Sequence, residues 1–149
     1  MSRKEVKIEN MATRSNIIVQ DEYSRIQVYR HWDGYPKAVI PELKEALEFA
    51  WPLPRFEADD FAAAIVRAWK NEGGGHIRID GNPKAFEMVH GDTEYVYVIK
   101  FDKQKGEPFV EIYDWHSYWF DKADITKKAF KPNVMLKIYF SQISDYKEA

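Results

Sequence analysis

The spacing of the apolar residues changes twice along the chain, and this change constrains the fold more than any other feature. Between Pro36 and Gly75 the apolar residues recur three and four positions apart, which is the spacing of one helix face. On both sides of this region the apolar residues are β-branched or aromatic, and several runs alternate with polar residues, as strands do. The pattern therefore predicts an α+β domain whose helices are inserted between β segments.

An N-terminal hairpin is predicted first. Residues 16–20 form a short β-branched run, polar turn residues follow, and residues 25–29 alternate polar with apolar side chains. Because successive side chains of a strand point to opposite faces, Ile26 and Val28 share one face and His31 continues the other.

Two helices are predicted after the hairpin. Pro41 suits a first helical turn, where its missing N–H is no loss, so the first helix is expected over residues 41–50 and ends before Pro52 and Pro54. A second helix is expected over residues 58–71, before a run of three glycines. Its apolar stripe consists of Phe61, Ile65, Ala68 and Trp69.

The rest of the chain is predicted to be mainly β structure. Residues 76–79 alternate, and residues 95–99 and 109–113 resemble a hairpin with a loop over residues 102–108. The segment 135–143 fits either a strand or a helix.

The predicted fold class is α+β: one domain over residues 11–149, mainly antiparallel sheet, with two helices inserted after the N-terminal hairpin. A chain of 149 residues is long enough to bury a core of that size. Residues 1–10 have no apolar period and are expected to form either a loose leader or an added edge strand.

Composition excludes several kinds of chemistry. The chain has no cysteine, so disulfides, thiolate metal sites and cysteine nucleophiles are ruled out. Its net charge is −2 with lysine and arginine dispersed, which disfavours nucleic acid as a partner. No run approaches the roughly 18 apolar residues of a membrane span, so we expect no membrane contact and a location in the cytoplasm.

The stretches Met-Ala-Thr-Arg-Ser at residues 11–15 and Tyr-Arg-His-Trp-Asp-Gly-Tyr at residues 29–35 resemble a family of uncharacterised small proteins of phages and prophages. The match lies mainly in residues 11–36 and extends weakly to residues 91–99. Arg30 stands where the family is expected to have a small residue, often cysteine. The resemblance implies a mobile-element setting, hence the cytoplasm of a bacterial host, and no particular chemistry.

The stretch from Tyr29 to Pro36 supports three hypotheses. In the structural hypothesis it is a corner between hairpin and helix, because Asp-Gly favours a turn in which glycine takes a positive φ. Trp32 and Tyr35 then pack on the sheet, Asp33 accepts hydrogen bonds from nearby backbone amides, and Arg30 is solvated. In the binding hypothesis for this stretch, Trp32 and Tyr35 contact a partner instead of packing on the sheet.

In the catalytic hypothesis His31 is a general base, Asp33 orients it, and Arg30 or Arg78 neutralises an anionic substrate. Three of the four histidines have an aspartate two residues away, which leaves a Zn²⁺ or Mn²⁺ site as an alternative to the expectation of no cofactor. The pairs are His31 with Asp33, His90 with Asp92, and His116 with Asp114.

Two further groups of residues are candidate binding sites. His76 and Arg78 follow the glycine run at strand spacing and are candidates for binding an anion. Residues 113–120 are the most aromatic window, and half of a strand of that composition cannot face inward. We expect the window to supply a contact surface for another protein or for a second copy of the chain. Its candidate residues are Trp115, His116, Tyr118 and Trp119.

The leading functional hypothesis is a phage- or prophage-encoded binding protein without catalytic activity. It docks on a bacterial host protein, such as a component of a defence system, and modulates it. The alternative is a small hydrolase or nucleotide-processing enzyme that uses the pair His31 and Asp33, with or without a metal. A structural component of the virion is a third hypothesis.

Overall fold

The computed structural model describes residues 13–70, 75–80, 93–115 and 134–145. In these ranges six strands form one sheet in the order β3-β2-β1-β4-β5-β6. The strands are β1 (Ser15–Gln20), β2 (Arg25–Arg30), β3 (Ile77–Asp80), β4 (Tyr95–Asp102), β5 (Glu107–Asp114) and β6 (Val134–Tyr139). The helices are α1 (Pro36–Ala46) and α2 (Ala58–Trp69), and two 3-10 helices span Leu47–Phe49 and Phe140–Asp145.

The predicted fold class is confirmed. β1 and β2 form the N-terminal hairpin, the two helices follow it, and β4 and β5 form a second hairpin. All the strand pairings are antiparallel except that of β1 with β4, which is parallel. The parallel pairing arises because the chain leaves the first hairpin, forms the helices and β3 at one edge, and returns to the other side of β1.

The helices cover one face of the sheet and enclose the main core. Alternate side chains of the central strands, such as Ile17, Val28 and Tyr97, pack there against Leu43 of α1 and Phe61 of α2. The predicted stripe of α2 is confirmed in Phe61, Ile65 and Trp69, which are buried, whereas Ala68 is half-buried. The packing of the helices on the sheet fixes the positions of the residues that follow each strand and helix.

The opposite face of the sheet carries a smaller apolar cluster and a line of polar side chains. Asn16 donates to Thr93 Oγ1 over 2.7 Å and accepts from Gln27 Nε2 over 3.0 Å. Gln27 Nε2 also lies 3.2 Å from Asp80 Oδ2, which extends the line across β2 to β3. These hydrogen bonds offset part of the desolvation of three fully or nearly fully buried polar side chains, while Gln27 Oε1 has no hydrogen-bond partner among the described residues.

Several predicted boundaries were wrong. α1 begins at Pro36, which takes the first helical turn, so Pro41 lies inside the helix. Both prolines are compatible with a helix start, and the sequence offers no local signal that selects between them. The helix also gives way to a 3-10 turn at Leu47. The ambiguous tail contains both β6 and a 3-10 helix.

Candidate functional site

The corner between β2 and α1 is where the sequence places its first candidate site. Gly34 does not supply the positive φ that was predicted; Asp33 does, with φ of 54°. Gly34 is instead required by close packing, because a Cβ there would lie 2.9 Å from the backbone nitrogen of Ser15. The Gly34 carbonyl also accepts a 2.7 Å hydrogen bond from Tyr97 Oη. The corner is thus fixed to both β1 and β4.

Arg30 is buried, which corrects the expectation that it is solvated. Its exposed fraction is 0%. Its guanidinium contacts both Glu42 carboxylate oxygens, with Nη2 to Oε2 at 3.0 Å and Nη1 to Oε1 at 3.4 Å, and Nε donates to the Trp32 carbonyl. The same guanidinium lies 4.6 Å from the centre of the Trp69 ring. Arg30 therefore cannot neutralise a substrate at the surface, and it joins the sheet to both helices.

Glu42 completes this ion pair from α1. Burial raises the pKa of its carboxyl above the usual value, against the lowering effect of the Arg30 charge and hydrogen bonds, while Glu45 and Asp33 add negative charge nearby. The Glu42 backbone carbonyl accepts a 3.1 Å hydrogen bond from Trp69 Nε1. The carboxylate is held by the fold and is committed to Arg30.

The predicted pair of His31 and Asp33 is not formed. Within the residues that the structure describes, the partner of His31 Nδ1 is Tyr29 Oη, at 2.9 Å, and no hydrogen bond joins His31 to Asp33. The charge of Asp33 instead acts on the Glu42 carboxyl, whose pKa it raises. A tyrosine hydroxyl therefore orients the imidazole in the place expected of a carboxylate.

The rings of His31, Trp32 and His76 meet where β2 ends and β3 begins. We call these three residues, together with Tyr29 and Arg78, the ring cluster. The ring centres of His31 and Trp32 are 5.4 Å apart, those of Trp32 and His76 5.6 Å, and those of His31 and His76 6.0 Å. The Arg78 guanidinium lies 5.8 Å from the Tyr29 ring centre. The structure thus brings His76 next to His31 and Trp32, and Arg78 next to Tyr29, the hydrogen-bond partner of His31.

Two non-glycine residues have a positive φ at this site, His76 in the ring cluster and Asp33 directly after Trp32 in the chain. Asp33 and His76 both have φ of 54°, and among the described residues they are the two non-glycine positions in this region of φ. Such a conformation costs roughly 1–3 kcal/mol per residue and is found preferentially at functional sites. The amides of His31 and Trp32 both donate to the Gly75 carbonyl, which holds the two segments together.

Metal ligands do not converge in the described ranges, where no group of three or more His, Asp or Glu side chains could hold an ion. Two of the predicted pairs cannot be placed, because His90, Asp92 and His116 lie outside those ranges.

The aromatic window is described only as far as Trp115. That side chain is 5% exposed and packs with Ile18, Val96 and Val98 on the face opposite the helices. A ring buried to this extent is not available to a partner, so Trp115 contributes to packing instead of docking. His116, Tyr118 and Trp119 lie outside the described residues. Tyr35 is half-buried, whereas Trp32 is 39% exposed.

An apolar groove lies on the helical side of the molecule, and the sequence analysis did not predict it. The groove encloses about 770 Å³ between the end of α1, the segment that follows it and the C-terminal 3-10 helix. Leu47, Trp51, Leu53 and Ile143 line it, and Lys44, Glu45 and Glu48 provide its charged residues. Trp51 is 49% exposed and Leu53 39% exposed.

Trp51 is held in place in spite of its exposure. Its backbone N–H donates to Asp60 Oδ2 over 2.8 Å, and the Arg55 guanidinium lies 4.2 Å from its ring centre. Phe49 is 41% exposed next to the groove and carries Arg67 at 4.5 Å from its ring centre. Fixed, exposed aromatic rings of this kind are typical anchors of protein interfaces.

Sequence reasoning missed the groove for an identifiable reason. Pro52 and Pro54 were interpreted only as the end of the first helix, and Leu53 between them was given no role. The available signal was the placement of Leu53 between two prolines and of Trp51 directly before the first of them, where no regular helix turns these side chains inward.

The comparisons with known proteins add no relative: the chain matches no protein-family model, and searches of curated proteins and of solved structures returned no match. No helix in the described ranges has the length and apolar character needed to cross a membrane.

Proposed function

We propose that the protein is a non-catalytic binding protein that docks on a protein of a bacterial host through the apolar groove. The observation that carries the proposal is the exposure of Trp51 and Leu53 beside Leu47 on a groove of about 770 Å³. Contiguous exposed apolar surface is costly for an isolated protein and marks interaction sites. The phage or prophage setting, and a host defence or regulatory system as target, rest on the resemblance of residues 11–36.

The groove indicates the chemistry of its partner. Its floor is apolar, and its charged residues are two glutamates, Glu45 and Glu48, and one lysine, Lys44. A complementary segment presents apolar side chains to Trp51 and Leu53 and a basic residue to the glutamates. Because Asp60 and Arg55 already fix Trp51, little ordering is required of this chain on binding.

The experiment compares the wild-type protein with the double variant Trp51→Ala/Leu53→Ala. Each protein captures partners from host lysate, and the protein that the wild type enriches is purified and titrated against both by calorimetry. We expect one-to-one binding by the wild type and at least a tenfold loss for the variant, which corresponds to about 1.4 kcal/mol. Tyr23→Ala is the matched control, because Tyr23 is 88% exposed on the β1–β2 turn.

Equal affinities for the wild type and the double variant would contradict docking through the groove. The same three proteins, expressed in the host during phage infection, test the modulating role: the wild type and Tyr23→Ala should change the outcome of infection, and the double variant should not.

A second candidate function, a small hydrolase or nucleotide-processing enzyme, is favoured by the approach of the His31 and His76 ring centres to 6.0 Å, with Arg78 over the ring of Tyr29. In this version His31 remains the general base, oriented by Tyr29. Turnover of a phosphate or carboxylate ester that is lost in His31→Ala and retained in Trp51→Ala would establish it over the docking function.

A further inference from the structure

The ring cluster contains surface groups that neither the core nor the apolar groove uses. Trp32 is 39% exposed, and His76 and Arg78 are exposed as well. The cluster shares no residue with the groove, whose lining runs from α1 to the C-terminal 3-10 helix. It is therefore a second, separate surface.

The polar groups of the cluster suit an anion. An imidazole and a guanidinium both donate hydrogen bonds to phosphate oxygens, and the planar guanidinium can donate two at once. Tyr29 is only 3% exposed and contacts both His31, through the 2.9 Å hydrogen bond, and Arg78, through its ring. Tyr29 thus links His31 to Arg78, and His76 joins the group through the rings of His31 and Trp32. The nearest acid along β3, Asp80, is in contact with Gln27.

Trp32 adds an aromatic surface next to these donors. Its ring is tilted by 45° to His31 and by 37° to His76, so both imidazoles pack against it. An exposed indole held in this way can stack on a flat heterocycle, as bases stack on aromatic side chains in nucleotide-binding proteins.

Positive φ outside glycine is found preferentially at functional sites. Asp33 and His76 adopt φ of 54° within the two segments that carry the rings. The Gly75 carbonyl accepts from both His31 and Trp32, at 3.0 and 2.9 Å, so the strain is maintained by the surrounding structure.

We propose that the ring cluster binds a nucleoside monophosphate. The base stacks on the exposed face of Trp32, and the phosphate accepts hydrogen bonds from His76 and Arg78. His31 is a positioning residue that supports Trp32. Binding here requires neither docking through the groove nor catalysis.

Calorimetric titration of the purified protein with AMP, adenosine and inorganic phosphate tests the proposal. We expect AMP to bind at least tenfold more tightly than either fragment, because only AMP uses stacking and phosphate contacts together. His76→Asn and Arg78→Gln should each weaken AMP binding about tenfold. Trp32→Ala should reduce AMP affinity to that of phosphate.

The variants are chosen so that folding does not obscure the result. Asparagine tolerates the positive φ of position 76, and the thermal unfolding of each variant is measured beside its titration. Arg55→Gln is the matched control, since Arg55 also lies over an exposed tryptophan but at the groove. It should bind AMP as the wild type does.

Three results would overturn the proposal. One is the absence of AMP binding to the wild type at millimolar concentration. Another is AMP binding that His76→Asn and Arg78→Gln leave unchanged. The third is a single-stranded adenine oligonucleotide that binds far more tightly than AMP with a steep dependence on salt, which would indicate a nucleic-acid surface.

Discussion

Individual residues acquire roles here that depend on partners distant in sequence. Arg30 is an ordinary charged residue in the sequence, and a solvated position is the natural expectation for it. Its burial follows from Glu42, twelve positions later on a helix whose start was misplaced by five residues, and from Trp69 on the next helix. The burial of a charge could not be predicted without these tertiary contacts.

Removing Arg30 should destabilise the protein strongly. Arg30→Met leaves the Glu42 carboxylate without its partner, and we expect a loss of about 3 kcal/mol in the free energy of unfolding. The measurement is urea denaturation followed by circular dichroism. The double variant Arg30→Met/Glu42→Leu should recover part of this loss, since no unpaired charge remains. Arg55→Ala, which removes an exposed ion pair with Glu57, should change stability by less than about 0.5 kcal/mol, and an equal effect of the two arginines would contradict this role.

The need for glycine at position 34 was predicted for the wrong reason. The Asp-Gly signal correctly indicates a turn, but the structure needs Gly34 for its lack of a side chain. Gly34→Ala should cost at least about 2 kcal/mol of stability because the new Cβ meets the Ser15 backbone. Gly106→Ala should cost only about 1 kcal/mol, since Gly106 has φ of 70° but a Cβ there would make only an ordinary 3.9 Å contact with Pro54 Cβ. Thermal unfolding measures both, and the reverse order would refute the packing explanation.

At the scale of elements, periodicity predicted both hairpins, the second helix and the position of the helices between β segments. It could not predict how elements are joined across the fold. Asp21, in the turn between β1 and β2, accepts a 2.8 Å hydrogen bond from the N–H of Ala58, the first residue of α2. The N-cap residue of this helix makes no side-chain capping hydrogen bond. The cap is Asp21, which lies 37 residues before Ala58 in the chain.

The pH dependence of stability should report this cap. Burial raises the pKa of the Asp21 carboxyl. Hydrogen bonds from the backbone N–H groups of Ala58, Tyr23 and Ser24 together lower this pKa by more, so the net pKa lies below 3.8. A lowered pKa in the folded state adds stability above about pH 3.8, and this stability is lost as the pH falls through the folded pKa. Asp21→Asn should therefore be about 1 kcal/mol less stable than the wild type at pH 7. Denaturation measured at pH 7 and at pH 3 should show a smaller difference in stability at pH 3. A difference that stays constant would exclude the charge of Asp21 as its cause.

At the scale of the whole molecule, the candidate sites were only partly predictable. His31, Trp32, His76 and Arg78 were identified from residue type, and their convergence depends on the pairing of β2 with β3, which places Tyr29 opposite Arg78. The residues Trp51 and Leu53 carry a local signal, but the groove as a whole could not be predicted, because it is formed by segments nearly one hundred residues apart that meet only in the folded chain. Aromatic content alone favoured Trp115, which the fold buries.

The central claim, docking through the apolar groove, is tested most directly by photo-crosslinking in the bacterial host. A photoreactive amino acid replaces Leu53 in one protein and Tyr23 in another, and cross-linked products are identified by mass spectrometry. We predict one discrete product between position 53 and a host protein, absent from position 23 and lost when Trp51→Ala is added. No product at position 53, or the same products from both positions, would contradict the account.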